Sequence, residues 1–178
     1  MQISARRLPH WYAIDRPLFI TFRLHGSLPS GREFPAESLT SGEAFLSVDR
    51  LLDAARVGPT YLAMPSVAQI VVDSLQYCGE RDYRLHAWVV MPNHIHMLTT
   101  PRTEVSRFMR RLKGYTARQA NRVLTRTGQG FWQEESYDHL IRTAEEFRKI
   151  EGYILNNPVK AGLALSIEEY RWSSMYAK

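Results

Sequence analysis

Two histidines, His94 and His96, sit in the otherwise apolar run Val89-Val90-Met91-Pro92-Asn93-His94-Ile95-His96-Met97-Leu98. On a β-strand, side chains alternate between faces, so both imidazoles point one way and Ile95 and Met97 the other. The apolar pair can pack on a core while the imidazoles stand side by side on the open face. Paired imidazoles at that spacing chelate a divalent metal. A half-buried strand that happens to carry two histidines is the competing reading, because His-x-His alone matches by chance. The rest of the chain weighs on that choice.

The second chemically informative stretch runs from Glu104 to Arg126. Val105, Phe108, Met109, Leu112, Ala120 and Val123 form a 3.6-residue stripe that predicts a helix from Glu104 to about Leu124. Tyr115 and Gln119 lie at i and i+4 on the edge of that stripe. Periodicity alone makes Tyr115 a core aromatic. Arg107, Arg110, Arg111, Lys113, Arg118, Arg122 and Arg126 face a single acid, Glu104, so this helix carries a net +6 against +5 for the whole chain. A charge run is commonly a solvated face, but one with almost no acids reads better as a footprint for a phosphate backbone.

The elements that must position these residues follow in order. Leu18 to His25 reads as the first strand, β-branched and aromatic, and Leu28 to Gly42 as a loop insertion. Ser41 caps a helix from about Gly42 to Val57, and Gly58-Pro59 ends it. A second helix spans about Pro65 to Tyr77, with Val67, Ile70, Val71 and Leu75 as its buried stripe. Strands Leu85–Met91 and His94–Thr99 are joined through Pro92-Asn93. Phe131–Glu134 with His139–Arg142 makes a last strand or strand pair. Thr143 caps a helix with an acidic first turn, Glu145 and Glu146, and Asn156-Asn157-Pro158 interrupts it. Residues 156–178 form a C-terminal tail in which Glu168 to Tyr176 is helical. Residues 1–16 form an irregular arm. Trp11 and Tyr12, among arginines, can stack bases there, or the arm packs on the domain.

A chain of 178 residues is long enough for one packed domain, and no second is required. Apolar residues at 44% and charged residues at 23% argue against disorder. A pI near 9.5 makes an anionic partner reasonable. Cys78 is the lone cysteine, so no internal disulfide forms, which fits a reducing compartment. No apolar run approaches the roughly 20 residues of a membrane span, and the N-terminus lacks a signal-peptide core. The expectation is a cytoplasmic, nucleoid-associated protein.

Several motifs fall in one ordered series: Met91-Pro92-Asn93-His94-Ile95-His96, Lys113-Gly114-Tyr115, Trp132-Gln133 and Tyr137-Asp138-His139. Asn156-Asn157-Pro158-Val159-Lys160-Ala161-Gly162-Leu163 and Tyr170-Arg171-Trp172-Ser173-Ser174 complete it. The series resembles the single-tyrosine HUH transposases, most closely the REP-associated tyrosine transposases of bacteria, from about Pro9 to Tyr176. The resemblance implies an α+β fold, RRM-like or ferredoxin-like, with an antiparallel sheet and helices packed mainly on one face. It implies His94 and His96 as ligands of Mg²⁺ or Mn²⁺, with Gln119 as a third, and Tyr115 as nucleophile. Asp138 and His139 would orient a ligand histidine or simply pack a strand end. The implied partner is single-stranded DNA folded into REP-type hairpins, bound by a monomer or homodimer with no membrane involved. The implied reaction is nicking and rejoining through a 5′-phosphotyrosine intermediate. A catalytically silent, domesticated hairpin-binding protein is the alternative. A zinc hydrolase unrelated to nucleic acid is poorly served by one cysteine and a basic helix.

Overall fold

The computed structural model describes residues 14–28, 41–54 and 57–176. Trp11, Tyr12 and most of the loop insertion expected at 28–42 lie outside them. Four strands, β1 (Leu18–Arg23), β2 (Tyr83–Val90), β3 (His94–Pro101) and β4 (Tyr137–Leu140), form one sheet in the order β2-β3-β1-β4. Every neighbouring pair is antiparallel. The helices are α1 (Ser41–Asp53), α2 (Pro65–Arg81), α3 (Val105–Val123) and α4 (Ala144–Lys160). With α2 as the first crossover and α3 as the second, this is the expected ferredoxin-like α+β arrangement.

Strand alternation sorts the core into two layers. Leu18, Ile20, Phe22, Ile95 and Met97 face one way and pack against Val67, Val71 and Leu75 of α2 and Phe108 and Leu112 of α3. Phe19, Ala87, Val89, Met91 and Leu98 face the other way, onto Ile154 and the flanking apolar residues of α4. The α2–α3 pair covers one face as expected, and α4 covers the other as well. The two histidines are therefore buried under helices and do not stand on an open face.

Some boundaries differ from those read in the sequence, each for a physical reason. Helix α2 runs on to Arg81 because Cys78 continues the buried stripe of Val71 and Leu75. In α3, Val123 turns outward at 47% exposure, where the helix ends. Helix α4 passes through Asn156-Asn157-Pro158 to Lys160. Proline there costs one hydrogen bond near the end of the helix, while burial of Ile154, Asn157 and Pro158 holds the turn in place.

The helix expected from Glu168 to Tyr176 is not formed. Those residues lie along the edge of β2, where Val90 N–H donates to the Trp172 carbonyl (2.8 Å) and Ser174 N–H to that of Trp88 (3.0 Å). Unpaired edge groups of β2 outweigh helix propensity here. After α1, Gly58 takes a positive φ of 82°, and a Cβ at that position would collide with the Gly26 carbonyl. That close approach ties the exit of α1 to the end of β1.

Candidate metal and tyrosine centre

His94 and His96 enter the site from β3, opposite Arg23 and Thr21 of β1. Both are wholly buried, and their Nε2 atoms lie 3.1 Å apart. Each outer nitrogen is held. His94 Nδ1 meets Asn93 Oδ1 at 2.7 Å, and His96 Nδ1 meets Thr21 Oγ1 at 2.7 Å. Because Asn93 Nδ2 donates to the Leu52 carbonyl at 2.9 Å, its oxygen is the end facing the ring. His94 Nδ1 therefore donates, and its Nε2 lone pair is left for the site. Phe19 stacks on His96 from β1, ring centroids 5.6 Å apart.

Helix α1 brings carboxylates to these two nitrogens. Asp49 Oδ1 stands 3.1 Å from His96 Nε2 and 3.7 Å from His94 Nε2. Asp53 Oδ1 is also 3.7 Å from His94 Nε2. Helical spacing of four residues puts both acids on one face. The apolar residues beside them, Val48 and Leu52, seat the helix with Leu28.

Helix α4 supplies a phenol and an amide from the other side. The Tyr153 hydroxyl donates to Asp49 Oδ2, and its ring lies 5.7 Å from that of His96. One turn on, Asn157 is wholly buried and close enough to Asp49 to favour its charged form. Lys160 Nζ lies 5.0 Å from the centre of the Tyr153 ring.

The electrostatics suit a cation. Burial, then the neighbouring imidazole, pulls His94 down to about 3, so it is neutral at ordinary pH. Burial works against the charge of Asp49, yet His96, His94 and Asn157 together hold its carboxyl below the usual range. Burial and the neighbouring Asp49 push Asp53 up to about 7. Asp49 Oδ1, Asp53 Oδ1 and both amide atoms of Asn157 are buried with no hydrogen bond of ordinary geometry. Buried carboxylate oxygens facing two imidazoles and the Nε2 lone pair of His94 form a cluster that a positive partner would satisfy. Ligand atoms of Asp49, His94 and His96 all lie within 4.8 Å of one another. A divalent ion fits this donor set.

The structure does not bring the expected tyrosine to the histidines. Tyr115 lies on α3, 48% exposed, in a groove shared with Ile70, Tyr77, Arg111 and Arg118. Because α3 packs on the Leu18–Ile20–Phe22 face, the sheet separates Tyr115 and Gln119 from the histidine face. Tyr153 and Asn157 reproduce the same i, i+4 tyrosine–amide pair on α4, at the site itself. Their signal is present in the sequence but hidden once Pro158 is taken as a helix break. Asp49 escapes the sequence because α1 shows little there beyond its cap and its length.

Other expected residues are redistributed too. Asp138 pairs with Ile20 in β1 and so faces away from the site. His139 faces the site side, but its Nε2 meets Glu146 Oε1 at 2.6 Å, and it is Asn93 and Thr21 that hold the outer nitrogens of the paired imidazoles. Lys113 donates to the carbonyls of Gln133 (2.7 Å) and Glu134 (2.9 Å). Burial lowers it to about 8, so it fastens the 131–135 segment and is not a free phosphate contact. Arg111 pairs with Asp82 at 2.6 Å. Arg107, Arg110, Arg118 and Arg122 are exposed on α3.

Among the described residues no helix is long and apolar enough to cross a membrane. A REP-associated tyrosine transposase of Escherichia coli (strain K12) is 27% identical over 99 residues, which are 54% of this chain and 57% of that protein. The chain thus matches little more than half the length of that relative. A solved structure of a REP-associated tyrosine transposase bound to a REP hairpin shares the fold at a TM-score of 0.58, with 19% identity over 98% of this chain and 84% of that one. The family described as "Transposase IS200 like" matches residues 69–157, half of the sequence, spanning the paired histidines on β3 and the Tyr153–Asn157 pair on α4. The chain belongs to the IS200-like transposase family.

Proposed function

We propose that the protein nicks and rejoins single-stranded DNA at hairpins, with Tyr153 as nucleophile and a divalent ion held by His94, His96 and Asp49. The observation that carries this reading is the Tyr153 hydroxyl bonded to a carboxylate that also faces both imidazoles. A divalent ion bound there would supply the positive charge that a scissile phosphate needs. Asp53, near His94, and Asn157, beside Asp49, would offer further oxygen donors to such an ion. Of Mg²⁺ and Mn²⁺, two imidazole nitrogens beside one carboxylate favour Mn²⁺, because Mg²⁺ prefers an all-oxygen shell.

The two oxygens of Asp49 divide the work. Oδ1 faces the imidazoles, and Oδ2 accepts the hydrogen bond from the phenol. An unperturbed tyrosine titrates near 10 and is a weak nucleophile at neutral pH, so a base touching its proton matters. As the proton passes to Oδ2, the phenol oxygen attacks phosphorus and the bond to the 3′ oxygen breaks. That oxygen takes up a proton and becomes a free 3′-hydroxyl, leaving a 5′-phosphotyrosine. Attack by another 3′-hydroxyl reverses the step and joins strands without an outside energy source.

The experiment is to incubate the protein with labelled single-stranded hairpins, Mn²⁺ present or chelated by EDTA. Nicking that requires the ion supports the reading. Undiminished nicking in chelator would remove the metal role. Hairpin binding with no nicking at any metal concentration would leave the silent, domesticated binder as the better account.

We further propose that the exposed arginines of α3 hold the duplex stem, on the face of the sheet away from the reacting centre. Arg110→Ala with Arg118→Ala is expected to weaken hairpin binding and flatten its log–log salt dependence by roughly 2, about 0.9 for each phosphate no longer neutralised. An unchanged slope would place the stem elsewhere.

A further inference from the structure

Beside Tyr153 the histidine face of the sheet opens into a groove of about 960 Å³ between β4 and α4. Its floor carries Phe19, Tyr137 and Ile150, and its walls carry Arg142, Lys149 and Lys160. The strand register fixes where Tyr137 stands. It pairs with Thr21 of β1, and Thr21 pairs with His96 of β3. Three side chains therefore form a row on one face, with Tyr137 two strands from His96, about 10 Å away.

Helical spacing does the same for the cations. Lys149, Tyr153 and Lys160 fall at i, i+4 and i+11, on one face of α4. Lys149 and Lys160 are both exposed. Of the carboxylates, Glu146 is engaged by His139 and by the Arg142 backbone N–H. Glu145 lies two turns before Tyr153, in the first turn of the helix. The part of the groove nearest the nucleophile is thus an aromatic floor under positive walls.

A duplex presents phosphates but no base faces. An unstacked strand presents both, and its bases stack on aromatic rings while lysines track its backbone. We propose that this groove binds the unpaired nucleotide adjoining the scissile phosphate, its base on Tyr137 and its backbone along Lys149 and Lys160. The assignment rests on Tyr153 as nucleophile, since the groove is continuous with that side chain. Tyr137 is then a residue that positions the strand and discriminates single-stranded from paired substrate.

The test uses a short single-stranded thymidine oligonucleotide, titrated in EDTA so that binding is read without cleavage. Tyr137→Ala is expected to weaken binding roughly tenfold or more, the usual effect of removing one base–aromatic stack. Tyr137→Phe keeps the ring and should bind nearly as tightly as the unaltered protein. Lys149→Glu alters only an exposed position, so it folds, and it should weaken binding and reduce its salt dependence. A 2-aminopurine placed in the oligonucleotide should lose fluorescence on the unaltered protein and not on Tyr137→Ala.

Unchanged affinity in both Tyr137→Ala and Lys149→Glu overturns the proposal. The groove then receives no base. Equal weakening for a blunt duplex would overturn it too, by making the surface a general phosphate contact. If Tyr153→Phe abolishes nicking while the groove variants bind normally, the groove fails and the nucleophile stands. If the groove variants lose binding and no tyrosine adduct ever forms, the nucleophile fails and the groove stands.

Discussion

Tyr153→Phe is expected to abolish hairpin nicking and the covalent protein–DNA band on a denaturing gel, while Tyr115→Phe leaves both intact. The first change removes one oxygen and keeps the ring that packs against His96 and Phe19 and lies under Lys160. Its structural cost is one hydrogen bond to Asp49, about 1–3 kcal/mol if that buried carboxylate finds no other donor. Such a destabilisation leaves most domains folded. Hairpin binding should therefore survive, which separates a chemical defect from a structural one. Tyr115 is far from this chemistry, on the opposite side of the sheet and about half exposed. The trapped adduct should carry the fragment lying 3′ of the nick, with a free 3′-hydroxyl on the other fragment. The reverse outcome, activity abolished by Tyr115→Phe and kept with Tyr153→Phe, would overturn the assignment to α4.

Comparing those two tyrosines shows how much of the site is legible in the sequence. The paired histidines can be read because strand alternation is rigid. His-x-His in an extended run leaves both rings on one face whatever surrounds them. The sheet and its two crossovers are legible for the same reason, from strong period-2 and period-3.6 patterns. Distance across the fold is not. Tyr115 with Gln119, and Tyr153 with Asn157, are the same motif on two amphipathic helices, and local spacing cannot say which helix lies over the histidines. The positive charge on α3 draws attention to the pair on the face of the sheet away from the histidines. Pro158 hides the other pair, because a proline four residues after Ile154 ordinarily ends a helix, and a broken helix would separate Asn157 from Tyr153.

Asp49 is invisible for a different reason. In Ser41–Asp53 the acids and the apolar residues are interleaved, and a surface helix with a few carboxylates looks much the same. Only the seating of Val48 and Leu52 turns Asp49 inward, and that seating depends on contacts distant in sequence. The tail at 168–176 shows the same limit. Its composition favours a helix, but the open edge of β2 offers backbone partners that propensity does not register.

Adding Mn²⁺ is expected to raise the melting temperature of the unaltered protein, and His94→Ala with His96→Ala should erase that rise. Metal-free, the site holds the buried Asp49 and the partly buried Asp53 beside the two imidazoles, and Asp53 is pushed up to about 7 by burial and by Asp49. An ion relieves that repulsion in the folded state only. At a hundredfold excess over its dissociation constant it contributes about 2.7 kcal/mol, roughly 5–10 °C for a domain of this size. Asp49→Asn keeps the shape of the site but removes the charge between the imidazoles, so it too should collapse the shift. The ion competes with the proton on Asp53, so its affinity should fall as pH drops below about 7 and level off above it. An equal shift in the double histidine variant would mean that the ion binds elsewhere. A shift that grows as the pH falls would contradict binding through these carboxylates.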